Sequence, residues 1–257
     1  MIAMQQCVSN SFPLPHEVFE LSLSRGALLV YIYLVYHKSL RRKCDDLSCA
    51  VISQAVGLCE KTVRAHLRTL VSEKLIQMSG INESAFTYTL CLIQDKVEKC
   101  RAANLVSVRK ASWWSTKQMW LTDEKFNAVF SLPNEVFQLG LKAGELLVYI
   151  YLQYQKGAVS SQCYPSYATI GAAVGMSRKT VQKHVCALVD KGLIETENTS
   201  VFIHGLKVNG NLRYTITPIT QVLKEREEEL LAEMKRAAAQ RKWDEKYRSN
   251  MAMTQGC

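Results

Sequence analysis

One stretch of this chain is written twice. Phe12-Pro-Leu-Pro-His-Glu-Val-Phe-Glu-Leu-Ser-Leu returns as Phe130-Ser-Leu-Pro-Asn-Glu-Val-Phe-Gln-Leu-Gly-Leu, an offset of 118 residues. The same offset aligns Leu28-Leu-Val-Tyr-Ile-Tyr-Leu with the identical heptapeptide from Leu146, Lys61-Thr-Val with Lys179-Thr-Val, His66 with His184, and Leu75-Ile with Leu193-Ile. No gap is needed from Phe12 to Ile76, and about half of the positions are identical. Self-similarity of that length at one fixed offset marks a duplicated domain. The 257 residues accommodate two such domains with connecting segments. The expected division is 1–94 for the first copy, 95–125 for a connector, 126–218 for the second copy and 219–257 for a charged tail.

Each copy carries the same local signals. Leu14-Pro15 and Leu132-Pro133 place a proline where a first helical turn tolerates it, opening a short helix that holds Val18-Phe19 or Val136-Phe137. A second helix is expected from about Ser24 to Lys38 and from about Lys142 to Lys156; apolar residues nearly encircle it, so it should be the central buried helix. A third begins at Ser48 or Ser166, good N-caps, and stops at Gly57 or Gly175. A fourth follows at once from Cys59 or Ser177, with Val63, Leu67, Leu70, Val71 and Val181, Val185, Leu188, Val189 on one face. Two helices joined by a short glycine-containing turn predict a helix-turn-helix. Strands starting at Leu75-Ile76 and Leu193-Ile194, with the alternating runs Phe86–Leu90 and Leu212–Ile216, predict a β-hairpin wing after it. Asn209-Gly210 reads as the tight turn of the second hairpin. Tyr88 and Tyr214 lie 126 apart, so the second wing is eight residues longer. The expected fold class is mainly α with small β-hairpin wings: two tandem winged helix-turn-helix domains and a long C-terminal helix.

Composition narrows the function classes. The longest apolar run, Ala27 to Tyr36, is far shorter than the roughly 20 residues that cross a bilayer, and Met1 to Asn10 lacks a signal-peptide pattern, so a cytoplasmic protein with no membrane partner is expected. The nine cysteines are scattered with no Cys-x-x-Cys pair, which fits neither a disulfide framework nor a structural zinc site. No phosphate-cradling glycine loop, nucleophile motif or metal constellation is present, so neither an enzyme nor a cofactor is expected. The net charge of +9 is spread over both copies, as a polyanion-binding surface on each requires.

The run from Cys163-Tyr-Pro-Ser through Gly175-Met-Ser-Arg-Lys-Thr-Val181, then Leu188 to Ile194, resembles the helix-turn-helix domain common in Gram-positive plasmids, phages and conjugative elements. That pattern has Pro-Ser before the third helix, Gly-x-Ser in the turn, Thr-Val in the recognition helix and Gly-Leu-Ile entering the wing. Asn209-Gly-Asn-Leu-Arg-Tyr-Thr-Ile resembles the wing of the same proteins. The first copy departs from it at Leu47 for proline, Cys59 for serine and Lys74 for glycine. The resemblance implies binding of double-stranded DNA, by transcriptional regulators and by replication initiators alike. A regulator of a mobile element is the leading expectation, and an initiator or replisome-loading protein on origin repeats the alternative.

With Val181, Val185 and Leu188 turned to the core, the second copy presents Arg178, Lys179, Gln182, Lys183 and Cys186 outward. Arg178 and Gln182 have the chemistry to read guanine and adenine edges, and Lys179 and Lys183 to meet phosphates. Ser177 and Thr180 can add hydroxyls to amides already aimed at a phosphate. The first copy presents Glu60, Lys61, Arg64 and Arg68, with Thr62 equivalent to Thr180. Lys207 and Arg213 flank the second hairpin, within reach of the minor groove or backbone. His66 and His184 read as structural, and the Tyr-Ile-Tyr clusters as core. Because the exposed residues differ between copies, the chain is expected to act as its own pseudo-dimer on an asymmetric site. The connector, with Trp113, Trp114 and Trp120, is expected to pack against the domains. The tail, glutamate-rich and then basic, is expected to be a helix whose Leu223, Leu230, Leu231 and Met234 offer self-association or a protein partner, or lie solvated.

Overall fold

The computed structural model describes residues 11–40, 47–79, 86–91, 93, 96–100, 129–156, 160–203 and 206–254, without the side chains of 201–208 and 245–254. Trp113, Trp114 and Trp120 of the connector lie outside the described residues. The chain forms two compact units, Met1–Ile216 and Thr217–Cys257. The second consists of one 36-residue helix, Ile219–Thr254, beginning directly after Pro218 as the sequence leads one to expect. Leu230, Leu231 and Met234 are exposed on it.

The first unit is mainly helical with small antiparallel sheets. Its first half runs β1 (Ser11–Pro15), a 3-10 turn (His16–Glu20), α1 (Arg25–Ser39), α2 (Cys49–Val56), α3 (Glu60–Ser72), β2 (Ile76–Ser79) and β3 (Thr87–Leu90). The second half repeats the order: β4 (Val129–Pro133), a 3-10 turn (Asn134–Gln138), α4 (Ala143–Gln155), β5 (Gln162–Cys163), α5 (Tyr167–Val174) and α6 (Arg178–Asp190). It ends with β6 (Ile194–Glu197), β7 (Ser200–Ile203), β8 (Leu206–Asn209) and β9 (Arg213–Ile216). The core of each half is its second helix. Residues 27–34 of α1 and 145–153 of α4 are buried without a break, which is why their apolar residues encircle the helix.

The cap signals operate as expected. Ser48 Oγ accepts from the Val51 amide at 3.2 Å, and Ser166 Oγ from the Thr169 amide at 3.1 Å. Gly57 and Gly175 end α2 and α5 in the left-handed region, both at φ 67°. The duplication preserves two further left-handed positions while changing the residue. Ser22 (φ 51°) stands where the second copy has Gly140 (φ 63°), and Lys74 (φ 58°) where it has Gly192 (φ 68°). The first copy keeps a backbone designed around glycine and strains two side-chain-bearing residues to hold it.

The unforeseen element is the pairing of β1 with β4. The Pro-containing segments are not simply lead-ins to a helix; they form an antiparallel ladder between the copies, with Phe12 opposite Leu132, Pro13 opposite Ser131 and Leu14 opposite Phe130. Phe12, Leu14 and Leu132 are buried while Pro13 and Ser131 are exposed, the alternation of a one-sided strand. Pro13 and Ser131 are equivalent positions of the repeat. The ladder is therefore centred on its own local twofold axis: Ser11 meets Pro133, and its equivalent Val129 meets Pro15.

Aromatic packing follows the same symmetry. Phe137 of the second copy inserts between Tyr33 and Tyr36 of the first, both at 4.9 Å between ring centroids. Phe19 of the first inserts between Tyr151 and Tyr154 of the second at 5.1 and 5.0 Å. Phe12 stacks on Phe137 at 6.3 Å, and Phe130 on Phe19 at 6.5 Å. Each such pair adds about 0.5–1.5 kcal/mol to the burial of its rings.

The second hairpin also differs from expectation. β6 pairs with β9 and β7 with β8, as inner and outer parts of one long hairpin; β5 joins β9 to make a three-stranded sheet. Asn209-Gly210 is not its turn. It lies at the break between the two ladders, where the Gly210 amide donates to the Thr199 carbonyl at 2.8 Å. A Cβ on Gly210 would lie 2.4 Å from Thr199 Oγ1, so a side chain there would displace the hydroxyl that donates to the Asn211 carbonyl; the glycine answers to close approach and not to turn geometry.

The left-handed positions give a test. Lys74→Gly should raise the stability by about 1 kcal/mol, and Gly192→Ala should lower it by a similar amount, both read from urea denaturation. A loss of stability in Lys74→Gly would show that Lys74 contributes something its backbone strain conceals.

Candidate nucleic-acid interface

In the second copy, α5 and α6 are joined by Gly175, Met176 and Ser177. The left-handed glycine reverses the chain, and Ser177 then caps α6: its Oγ accepts from the Thr180 amide at 3.2 Å and lies 2.8 Å from Thr180 Oγ1. The two hydroxyls expected to face a phosphate are thus already engaged in holding the first turn of α6. Val181, Val185 and Leu188 are buried, which fixes the rotation of the helix. Arg178, Lys179, Gln182, Lys183 and Cys186 are all exposed on the opposite side. At about 100° per residue, Lys179 and Lys183 lie at the middle of that face, with Arg178 on one edge and Thr180 and His184 on the other.

The first copy repeats this construction with different chemistry. Val63, Leu67 and Leu70 are buried beneath α3, while Lys61, Arg64 and Arg68 are exposed and Thr62 is half-buried. Cys59 replaces the capping serine without accepting a backbone amide; its Sγ lies 2.9 Å from Thr62 Oγ1. That hydrogen bond with the Thr62 hydroxyl holds the Cys59 thiol below its ordinary value.

Arg178 also lines a cleft of about 370 Å³ between α6, the start of α5 and the hairpin, with Ser166, Tyr167, Asn211 and Tyr214. Asn211 Nδ2 donates to the Tyr164 carbonyl at 3.1 Å, tying the hairpin to the segment that leads into α5. Arg213, one of the residues expected at the DNA, forms an ion pair with Glu197 across β9 and β6. Lys207 lies on β8 opposite Phe202, and its side chain is outside the described residues.

These features describe two helices set by a left-handed glycine, the second capped by serine and presenting a polar, basic face. Residues 139–194 match a family model described as a helix-turn-helix domain. The match runs from Leu139 through α4, α5 and α6 to the first residue of β6. It supports DNA binding, for which the helix-turn-helix presents its second helix to the major groove. No curated protein matches the chain. No helix among the described residues is long and apolar enough to cross a membrane.

Two residues missed as determinants of this geometry are Gly26 and Gly144, whose lack of a side chain leaves room for the rings of His66 and His184. A Cβ at Gly26 would stand 2.0 Å from His66 Nε2, and one at Gly144 2.4 Å from His184 Nε2. α3 and α6 thus each rest through a histidine on the first turn of the central helix of their copy. The repeated pairing of glycine with histidine at positions 26/66 and 144/184 is visible in the sequence only once the fold is known. Glu145 closes the second seat: Lys142 donates its amide to Glu145 Oε2 at 3.2 Å and Lys191 Nζ lies 2.5 Å away. Burial alone would raise the Glu145 carboxyl, but the Lys191 hydrogen bond and charge outweigh it and hold it below its ordinary value.

Burial depresses both histidines below their ordinary 6.5; at His184, Glu145 opposes this while Lys183, Arg25 and Lys142 add to it. The folded chain therefore favours neutral rings, and the unfolded chain takes up protons first as pH falls. Stability from this source is complete above about 6.5 and is lost as pH falls below that value through the lower folded one. The urea midpoint should drop between pH 7.5 and 5.5, a window that leaves ordinary carboxylates ionised. The double variant His66→Gln, His184→Gln should flatten the dependence. An equally steep loss in that variant would assign it to other groups.

Proposed function

We propose that this chain is a non-enzymatic, cytoplasmic protein that binds double-stranded DNA sequence-specifically through two tandem winged helix-turn-helix modules, and that it acts as a transcriptional regulator. The observation that carries the reading is α6. It is a serine-capped helix in a helix-turn-helix, with its apolar stripe buried and Arg178, Lys179, Gln182 and Lys183 exposed together. The β6–β9 hairpin beside Arg178 serves as the wing, and β2–β3 as its shorter counterpart. Regulation of a mobile element is the setting that the Pro-Ser, Gly-x-Ser and Gly-Leu-Ile pattern of residues 165–194 favours.

In this reading α6 enters the major groove with Arg178 and Gln182 on base edges and Lys179 and Lys183 on phosphates. In α3 the corresponding set is Glu60, Arg64, Lys61 and Arg68, so the two modules read different sequences. The pseudo-twofold pairing of β1 with β4 supports both modules acting on one duplex, as the subunits of a dimeric regulator do.

Selection from a random duplex library supplies the preferred site. On it, Arg178→Ala should cost about 1–3 kcal/mol and relax preference at one base pair. A uniform loss across all sequences would make Arg178 a phosphate contact, and no loss would remove it from the interface. Mapping the occupied sites in the genome tests the biological role: single sites over promoters support regulation, whereas an iterated array at an origin with local melting would replace that reading with replication initiation.

A further inference from the structure

The seats of the recognition helices bring an unassigned pair of basic residues to the junction of the two copies. α3 rests on the first turn of α1 through His66 and Gly26, and α6 on the first turn of α4 through His184 and Gly144. α1 and α4 in turn pack on each other across the twofold. Each helix-turn-helix turn then meets the other copy. A Cβ on Gly175 would lie 3.6 Å from Arg25 Cγ, and one on Gly57 would lie 3.4 Å from both the Ala143 amide and the Leu141 carbonyl oxygen.

Arg25 is exposed and forms no ion pair with a carboxylate among the described residues. It occupies the first position of α1, where no acidic residue lies in the first turn and the helix dipole disfavours a cation. The second copy has Ala143 at the equivalent position, so the helix does not need an arginine there. Lys142, also exposed, precedes α4 in place of Ser24. Arg25, Lys142 and Lys183 all bear on His184. One nearby carboxylate, Glu145, pairs with Lys191 and also faces the Lys142 charge, so a single anion stands among four cations. Like charges gathered this way repel one another, and an anion among them would relieve the repulsion.

We propose that Arg25 and Lys142 form a third DNA contact, binding phosphates midway between the two recognition helices. This rests on the DNA-binding reading above. Packed helix axes stand about 8–10 Å apart, so the three contacts of the series α3, α1, α4, α6 span about 30 Å. That is close to the roughly 34 Å between half-sites on successive turns of one duplex face, and the backbone between those half-sites would pass over Arg25 and Lys142. The contact is composite, since Arg25 comes from the first copy and approaches the turn of the second.

The repeat itself supplies variants that the backbone tolerates. Arg25→Ala and Lys142→Ser each install the residue found at the equivalent position of the other copy. In the full chain on its selected site, the double variant should lower the slope of log affinity against log salt by about 2, one unit per phosphate released. Base preference should stay unchanged, and interference from phosphate ethylation at the centre of the site should disappear. Arg25→Lys should keep the slope. Lys179→Ala with Lys183→Ala serves as the comparison. If that pair lowers the slope and the Arg25, Lys142 pair does not, the central contact is overturned while the DNA-binding reading stands. Weaker binding at unchanged slope would overturn it equally, since it would mean bracing without phosphate contact. Failure of the wild-type chain to bind any duplex would overturn both.

Discussion

The ladder between β1 and β4 is the constraint on which the rest of the first unit depends. An antiparallel pair centred on equivalent residues, Pro13 and Ser131, imposes a local twofold on everything that follows. From it, Phe19 and Phe137 are carried reciprocally into the tyrosine clusters of the opposite copy. Such an arrangement is what a symmetric homodimer forms between two chains, with one patch meeting itself. Here a duplication has placed both partners in one polypeptide, where association is intramolecular and independent of concentration.

Once the partners are covalently joined, their surfaces are free to diverge while their buried contacts are not. The aromatic cluster keeps its residues at equivalent positions: Phe12 and Phe130, Phe19 and Phe137, Tyr36 and Tyr154. The exposed faces have changed, with Glu60 for Arg178 and Arg64 for Gln182. Even the backbone records this order of constraint, because Ser22 and Lys74 hold the left-handed conformations that Gly140 and Gly192 adopt without strain. The geometry of the repeated helices is thus held in common, and their surface chemistry is not.

Much of this was legible in the sequence because its determinants are local. Ser48, Ser166 and Ser177 cap helices by bonding amides three residues on, and Gly57 and Gly175 end helices through their own φ, so each signal can be read within one turn. The apolar stripe Val181, Val185, Leu188 likewise fixed which side chains of α6 face outward. What escaped was non-local. Phe-Pro-Leu-Pro carries a helix-start signal, and its pairing with a segment 118 residues away is decided by the twofold, which no window on the sequence displays. Asn209-Gly210 misled because glycine there answers to the nearness of Thr199. The ion pair of Arg213 with its cross-strand neighbour Glu197 was likewise hidden, because it depends on the register of β9 against β6. The approach of Arg25 to Gly175 of the other copy could not be read from either repeat alone.

The account holds that one chain, as a built-in pseudo-dimer, presents two different recognition helices to a single duplex. Hydroxyl-radical footprinting on the preferred site, with native mass spectrometry of the same complex, tests it most directly. One chain bound to an asymmetric, two-part footprint is the predicted result. Two chains on a palindromic footprint that survives deletion of residues 1–94 would contradict it.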